Sequence, residues 1–252
     1  HRRRHSFPTR RSSDLDADDE LHVDGELLPP QLGDRFTVRH LLGTGAHGAV
    51  WEVFDHGHAR VLALKSLLRV DPEELVRFKR EFRIVGGVVH PNLVTLHELF
   101  VEAGQAWLTM ELVDGIDFLS WVRDDDQPGG GVDELRLRDA LLQLARALVA
   151  LHAHGILHRD LKPSNVLVRA DGQVRVADFG LAREFASDDD SGVAGTPAYM
   201  SPEQAAGSEF VDVRSDVYSL GVIFYEALLG RTPYAVTGAL GEILNRIAND
   251  DP

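Results

Sequence analysis

His158-Arg159-Asp160-Leu161-Lys162-Pro163-Ser164-Asn165, with Asp178-Phe179-Gly180 downstream, is the stretch from which the rest of the chain can be read. Any one of these polar residues could be a cap or a turn former. In this order they meet the three requirements of phosphoryl transfer: a carboxylate to orient and accept from a hydroxyl, hard oxygen ligands for a metal, and a cation over the migrating group. Asp160 suits the base, Lys162 the cation, and Asn165 and Asp178 the Mg²⁺ ligands.

Upstream, Gly43-Thr-Gly45-Ala-His-Gly48-Ala-Val50 lies between two strand-like runs. Glycines there let backbone amides approach phosphate oxygens that a Cβ would hold away. A dinucleotide-binding turn would lead into a helix, whereas a strand follows here; a P-loop would end in Gly-Lys-Ser/Thr, which is missing. By itself the glycine pattern is as compatible with an ordinary turn. Lys65, in Ala63-Leu64-Lys65, ends a further apolar strand, where a lysine commonly snorkels to the surface. Glu81, on the helical stretch that follows, is the carboxylate that would meet it and hold the ammonium against α- and β-phosphates.

Strand-like runs are predicted at 36–42, 49–55, 60–67, 96–101 and 106–111, and a helix at 72–86 with Asp71 as N-cap before Pro72. Beyond Asp117 the pattern turns helical: a long apolar helix over 135–154, a second over 212–229 and the start of another at 240–247, with a short hairpin at 166–168 and 174–177 around Asp171-Gly172. The implied fold is α+β and bilobal, a β-rich lobe with one helix over 35–113 and a mainly helical lobe over 114–252. Residues 16–34 read as a flexible acidic lead-in.

The chain has no cysteine, which excludes disulfides and thiolate metal sites and points to a reducing compartment, the cytoplasm. A formal charge of −14 argues against a nucleic-acid partner. The apolar run 217–229 is interrupted by Glu226 and too short to span a bilayer; an anchor elsewhere in a longer protein is compatible with this. His5-Ser-Phe-Pro-Thr-Arg-Arg-Ser-Ser-Asp-Leu15 resembles a translated sequencing adapter, so residues 1–15 are expected to be foreign to the protein. The absence of an initiator Met and the ending at Asn249-Asp250-Asp251-Pro252 fit a C-terminally truncated sequence.

The motifs at 158–165 and 178–180 resemble those of the serine/threonine branch of the protein kinase family, and the likeness runs from about Phe36 to the end. The resemblance implies transfer of the γ-phosphate of Mg-ATP to Ser or Thr hydroxyls of protein substrates. It makes Gly43, Gly45 and Gly48 the lid on the phosphates, pairs Lys65 with Glu81, and places His158 and Phe179 in the hydrophobic spine. Leu42 joins the ATP-binding set. Val50, Ala63 and Leu167 would sandwich adenine, Met110 would be the gatekeeper, and Glu111 and Val113 would offer backbone hydrogen bonds. Lys162 is similar to the serine/threonine class rather than the tyrosine class.

Gly195-Thr196-Pro-Ala-Tyr-Met-Ser201-Pro-Glu203 resembles the substrate-docking segment, with serine in place of alanine, a change expected to be small. Thr196 would bond Asp160 and Lys162, and Asp216 would steady the catalytic loop. This wording is similar to bacterial eukaryotic-like kinases. Arg159 before Asp160 resembles kinases whose activation loop is ordered by phosphate, making Ser187 or Ser191 a candidate regulatory site; Asp188-Asp189-Asp190 standing in for phosphate, or an acidic solvated loop, are the alternatives. A zinc site at His152, His154 and His158 lacks a common helical face and a fourth ligand. A pseudokinase scaffold would be expected to have lost Lys65, Asp160 or Asp178. A small-molecule phosphotransferase would not need the Gly-Thr-Pro-Ala-Tyr segment.

Overall fold

In the computed structural model the described residues are 22–23, 26–27, 32–45, 48–67, 72–102, 104–124, 131–179, 196–208 and 210–250. Two compact units are distinguished, His1–Val76 with Thr95–Leu112 and Arg77–Val94 with Val113–Pro252. The secondary structure is α+β.

In the first unit, a two-residue pair, β1 (His22–Val23) and β2 (Glu26–Leu27), precedes a five-stranded antiparallel sheet. Its strands are β3 (Phe36–Gly45), β4 (Gly48–Asp55), β5 (Arg60–Ser66), β6 (Leu96–Glu102) and β7 (Gln105–Met110), in the spatial order β3-β4-β5-β7-β6. Along β4 the buried positions alternate, Ala49, Trp51, Val53 and Asp55, as the two-residue period of a half-buried strand requires. Trp51 and Val53 pack with Phe36, Leu62, Leu64 and Trp107. Leu32, which the sequence pattern assigns to the lead-in, is also buried in this core.

Asp55 is fully buried yet charged. Burial alone would raise its pKa, but hydrogen bonds from Arg35 and His58 and from the Gly57 N–H hold it well below the usual carboxylate range. Arg35 also bonds Glu98 on β6 at 2.6 Å and lies over the Phe36 ring, so this one cation ties three strands together.

In the second unit α1 (Pro72–Val85) contributes its residues from Arg77 onward. A three-stranded sheet, β10-β9-β8, is built from β8 (Gly115–Asp117), β9 (Val166–Arg169) and β10 (Val174–Val176). The helices are α2 (Phe118–Val122), α3 (Glu134–Ala153), α4 (Pro202–Ala205), α5 (Val213–Leu229) and α6 (Leu240–Asn249). Asp133 caps α3 by accepting from Leu135 and Arg136 N–H groups, and Asp212 caps α5 through Arg214 N–H. On α3 the buried residues Leu137, Ala140, Leu144, Ala147, Leu148 and Leu151 recur at helical spacing. α5 ends at Gly230, whose φ of 69° is the left-handed cap glycine tolerates. β8 and α2 have no strong pattern in the sequence; both are too short for a periodicity to declare itself. Among the described residues no helix is long and apolar enough to cross a membrane. The proposed cap Asp71 and residues 1–15 lie outside the described residues.

Candidate active site

The catalytic-loop candidates cluster tightly in the second unit. Asp160 is almost fully buried. Its Oδ1 accepts from the Thr196 backbone N–H at 3.0 Å, and its Oδ2 from Lys162 Nζ at 2.7 Å and Asn165 Nδ2 at 3.3 Å. The same ammonium reaches Thr196 Oγ1 at 2.8 Å. Three donors therefore hold one carboxylate in a single rotamer, and a lysine bridges it to Thr196. Asn165 also donates to the Asp160 carbonyl at 2.8 Å, which commits its amide nitrogen and turns its oxygen away.

The backbone under this carboxylate is held in an unusual shape. Arg159 has φ 66° and Asp178 has φ 58°, left-handed values that cost a non-glycine residue roughly 1–2 kcal/mol. At Arg159 the surroundings impose the shape. Asp216, buried on α5, accepts from the His158 and Arg159 N–H groups, each at 2.9 Å, and from His152 Nε2 at 2.7 Å. Gln204 Nε2 donates to the Arg159 carbonyl at 2.8 Å. Both peptide groups flanking Arg159 are thus pinned.

His158 is fully buried and bonds the Ala177 carbonyl through Nε2 at 3.1 Å. Burial pushes its pKa down, against the pull of Asp216, Asp160 and Asp178, so the neutral ring carries its proton on Nε2. His152 and His154 have partners of their own, Asp216 and the Ala150 carbonyl.

Asn165 and Asp178 are joined through their backbones. β9 begins directly after Asn165, β10 ends two residues before Asp178, and Ala177 N–H donates to the Asn165 carbonyl at 2.8 Å. Asn165 and Asp178, at the open end of the hairpin, carry an amide oxygen and a carboxylate, both hard donors that suit Mg²⁺. Leu167 sits on β9 opposite Arg175 and Asp117, and Phe179 is buried.

The nucleotide candidates of the first unit lie on neighbouring strands. Gly43 pairs with Val50, Val50 with Lys65, Lys65 with Leu108, and Ala63 with Met110. Leu42 falls at a register shift between Leu41 and Gly43. Gly45 pairs with Gly48 at the end of the β3–β4 hairpin. Gly48 has φ 109°, and a Cβ there would lie 2.2 Å from the Ser66 carbonyl oxygen, so only glycine fits. Lys65 and Met110 are buried. Glu111 donates its N–H to Thr95 O at 2.8 Å. Val113, half-buried, falls in the second unit. Glu81 lies on α1, but its side chain is outside the described residues, as are Ser187 and Ser191.

Several supporting residues were not singled out from the sequence. Gln204 had a readable signal, the Ser201-Pro-Glu-Gln204 capping box, in which Ser201 and Gln204 bond reciprocally. Serine at 201 is therefore more than an enlarged alanine. His152 enters the sequence reading only through the discarded zinc site, and the Tyr199–Glu226 pair, 2.6 Å apart, has no local signal, because their partners are distant in sequence. Glu203 accepts from Ser215; burial favours its neutral form, but that hydrogen bond and others hold it below the usual carboxylate range.

The protein kinase domain family profile matches residues 36–249. Among relatives, the chain is 38% identical over 232 residues to serine/threonine-protein kinase PknA of Mycobacterium tuberculosis, covering 88% of this chain and 53% of that protein. It is 36% identical over 222 residues to serine/threonine-protein kinase PknB of Mycolicibacterium smegmatis, covering 82% of this chain and 34% of that protein. The chain thus spans between about a third and about half the length of these relatives. With its catalytic-loop geometry and a family match over most of its length, this chain belongs to the protein kinase domain family.

Proposed function

We propose that the chain is the catalytic domain of a bacterial serine/threonine protein kinase, cytoplasmic, transferring the γ-phosphate of ATP to protein hydroxyls. The observation that carries this reading is the convergence of Lys162, Asn165 and the Thr196 N–H on the Asp160 carboxylate. Fixed in this way, Asp160 orients a substrate hydroxyl and accepts its proton as the oxygen attacks phosphorus. Lys162 offsets the charge on the transferring group. Thr196, bonded to both, links the docking segment to the base, so a seated substrate completes the site.

Asn165 and Asp178 would hold Mg²⁺, which when bound neutralises phosphate charge. The family resemblance supports Gly43, Gly45 and Gly48 as the lid on the phosphates and Lys65, with Glu81 as its expected partner, as the cation for the α- and β-phosphates. Leu42, Val50, Ala63, Met110 and Leu167 receive adenine, with backbone contacts from Glu111 and Val113. Residues 35–113 and 114–252 form the two lobes, and residues 1–15 lie outside the functional domain. Arg159 receives the phosphate of Ser187 or Ser191 when the activation loop is modified. The acidic charge favours protein substrates over nucleic acid.

The test is incorporation of labelled phosphate from ATP into a protein substrate. The wild type should turn over on the order of 1–100 s⁻¹ with a good substrate, and Asp160→Asn should abolish it. Equal incorporation by the variant would remove the assignment.

A further inference from the structure

Among the described residues the strand that leads into Asp178 has no neighbouring strand on its outer edge, yet its polar groups there are satisfied. At Val176 a backbone segment does the work: Val176 N–H donates to the Asn92 carbonyl and Val94 N–H to the Val176 carbonyl, both at 2.9 Å, making a parallel bridge between Leu93 and Val176. At Val174 two side-chain amides take the place of a strand. Gln143 Oε1, from α3, accepts the Val174 N–H at 3.0 Å, and Asn92 Nδ2 donates to the Val174 carbonyl at 3.0 Å. The two amides are bonded to each other, Asn92 Nδ2 to Gln143 Oε1, at 2.8 Å. Gln143 Nε2 then donates to the Gly172 carbonyl at 2.9 Å and to Asp139 at 3.0 Å, so the hairpin turn is held too.

Asn92 is itself fixed. It is buried, and its N–H donates to His90 Nδ1 at 3.1 Å. Burial, followed by the Arg146 charge, lowers the His90 pKa and keeps that nitrogen an acceptor. A glutamine and an asparagine could brace any strand, but this strand's far end is the Asn165–Asp178 pair. A slip at Val174 would be passed through Val176 and Ala177 to Asp178.

We propose that Asn92 and Gln143 are positioning residues that set the spacing of Asn165 and Asp178, and with it the affinity for the divalent ion. This rests on the reading of those two residues as metal ligands. Loss of a partner that orients metal ligands typically weakens binding about 10–100-fold.

The experiment measures Mn²⁺ binding to the chain with ATP by electron paramagnetic resonance, together with kcat, peptide KM and the Mg²⁺ dependence of the rate. Gln143→Met and Asn92→Ala should each raise the Mn²⁺ Kd by about tenfold or more. They should raise the Mg²⁺ needed for half-maximal rate in parallel, leave the peptide KM unchanged, and recover rate at high Mg²⁺. Gln143→Glu keeps the acceptor for Val174 but loses both donations, and should raise the Kd by a smaller, measurable factor. Leu142→Ala, on the exposed side of α3, should match the wild type. If the folded variants bind Mn²⁺ as the wild type does and differ only in melting temperature, the amides are structural braces and the proposal falls. If Gln143→Met and Asn92→Ala do not fold, Gln143→Glu decides on the same readout, and an unchanged Kd overturns the proposal. Asp178→Asn separates the two levels: unchanged Mn²⁺ binding there would remove the ligand reading itself, whatever the other variants do.

Discussion

Asp216 Oδ2 accepts from the imidazole of His152 at 2.7 Å, and this buried carboxylate also takes the N–H groups of His158 and Arg159. One side chain on α5 thereby satisfies three donors and holds Arg159 in its left-handed conformation.

Asp216→Ala would leave those donors unpaired in the interior. Breaking a buried charged network of this kind costs about 3–5 kcal/mol, and Arg159 loses the support for its backbone strain. Urea unfolding should show that loss, with phosphate transfer falling further than stability alone explains. His152→Ala removes one donor and leaves both backbone bonds, so about 1 kcal/mol is expected. Equal costs for the two variants would refute this account of the brace.

Tyr199 and Glu226 form a second link, between the segment after Thr196 and α5. Burial, then the hydrogen bond to Glu226, raises the Tyr199 phenol well above its ordinary range, so it stays a donor at any working pH. Tyr199→Phe should destabilise by about 1.5–3 kcal/mol, the range for a hydrogen bond to a charged group. In a double-mutant cycle with Glu226→Gln the two effects should fail to add; strict additivity would mean the pair is not coupled.

His158 gives a pH signature. Its folded-state pKa lies below the unfolded value of 6.5, so the unfolded chain binds more protons at mildly acidic pH. Its contribution is complete above that value and is lost as pH falls from there toward the lowered folded pKa. The wild type should therefore lose stability on acidification below about pH 6.5, and His158→Phe, which keeps an apolar ring in the buried site, should flatten part of that slope. Identical pH profiles of urea unfolding for the two proteins would rule it out.

Gly48→Ala places a methyl group where the Ser66 carbonyl stands and forces a positive φ on a residue with a Cβ. Strain of this kind costs on the order of 1–3 kcal/mol, concentrated at the β4–β5 ladder, where Ser66 also bonds Ala49 through its hydroxyl. Faster amide hydrogen exchange in β4 and β5 is the expected readout, along with weaker ATP binding. Unchanged exchange would show that the hairpin can relax around the methyl group.

Local chemistry made much of this protein legible in its linear order. The strand run at β4, the helices α3 and α5 and the run from His158 to Asn165 each depend on residues near one another in the chain, so spacing alone announces them. Ser201 reads in the linear order as a small change from alanine, and its capping box with Gln204 shows only in three dimensions. What the linear order could not supply are the bonds that close over long loops, Glu226 against Tyr199 and Gln143 and Asn92 along Val174; Asp216 under Arg159 was reached only through the family resemblance. An aspartate, a glutamate or an amide has the same covalent structure on a solvated helix as in a buried brace. Only folding, by excluding water and aligning a donor from a distant element, makes the difference.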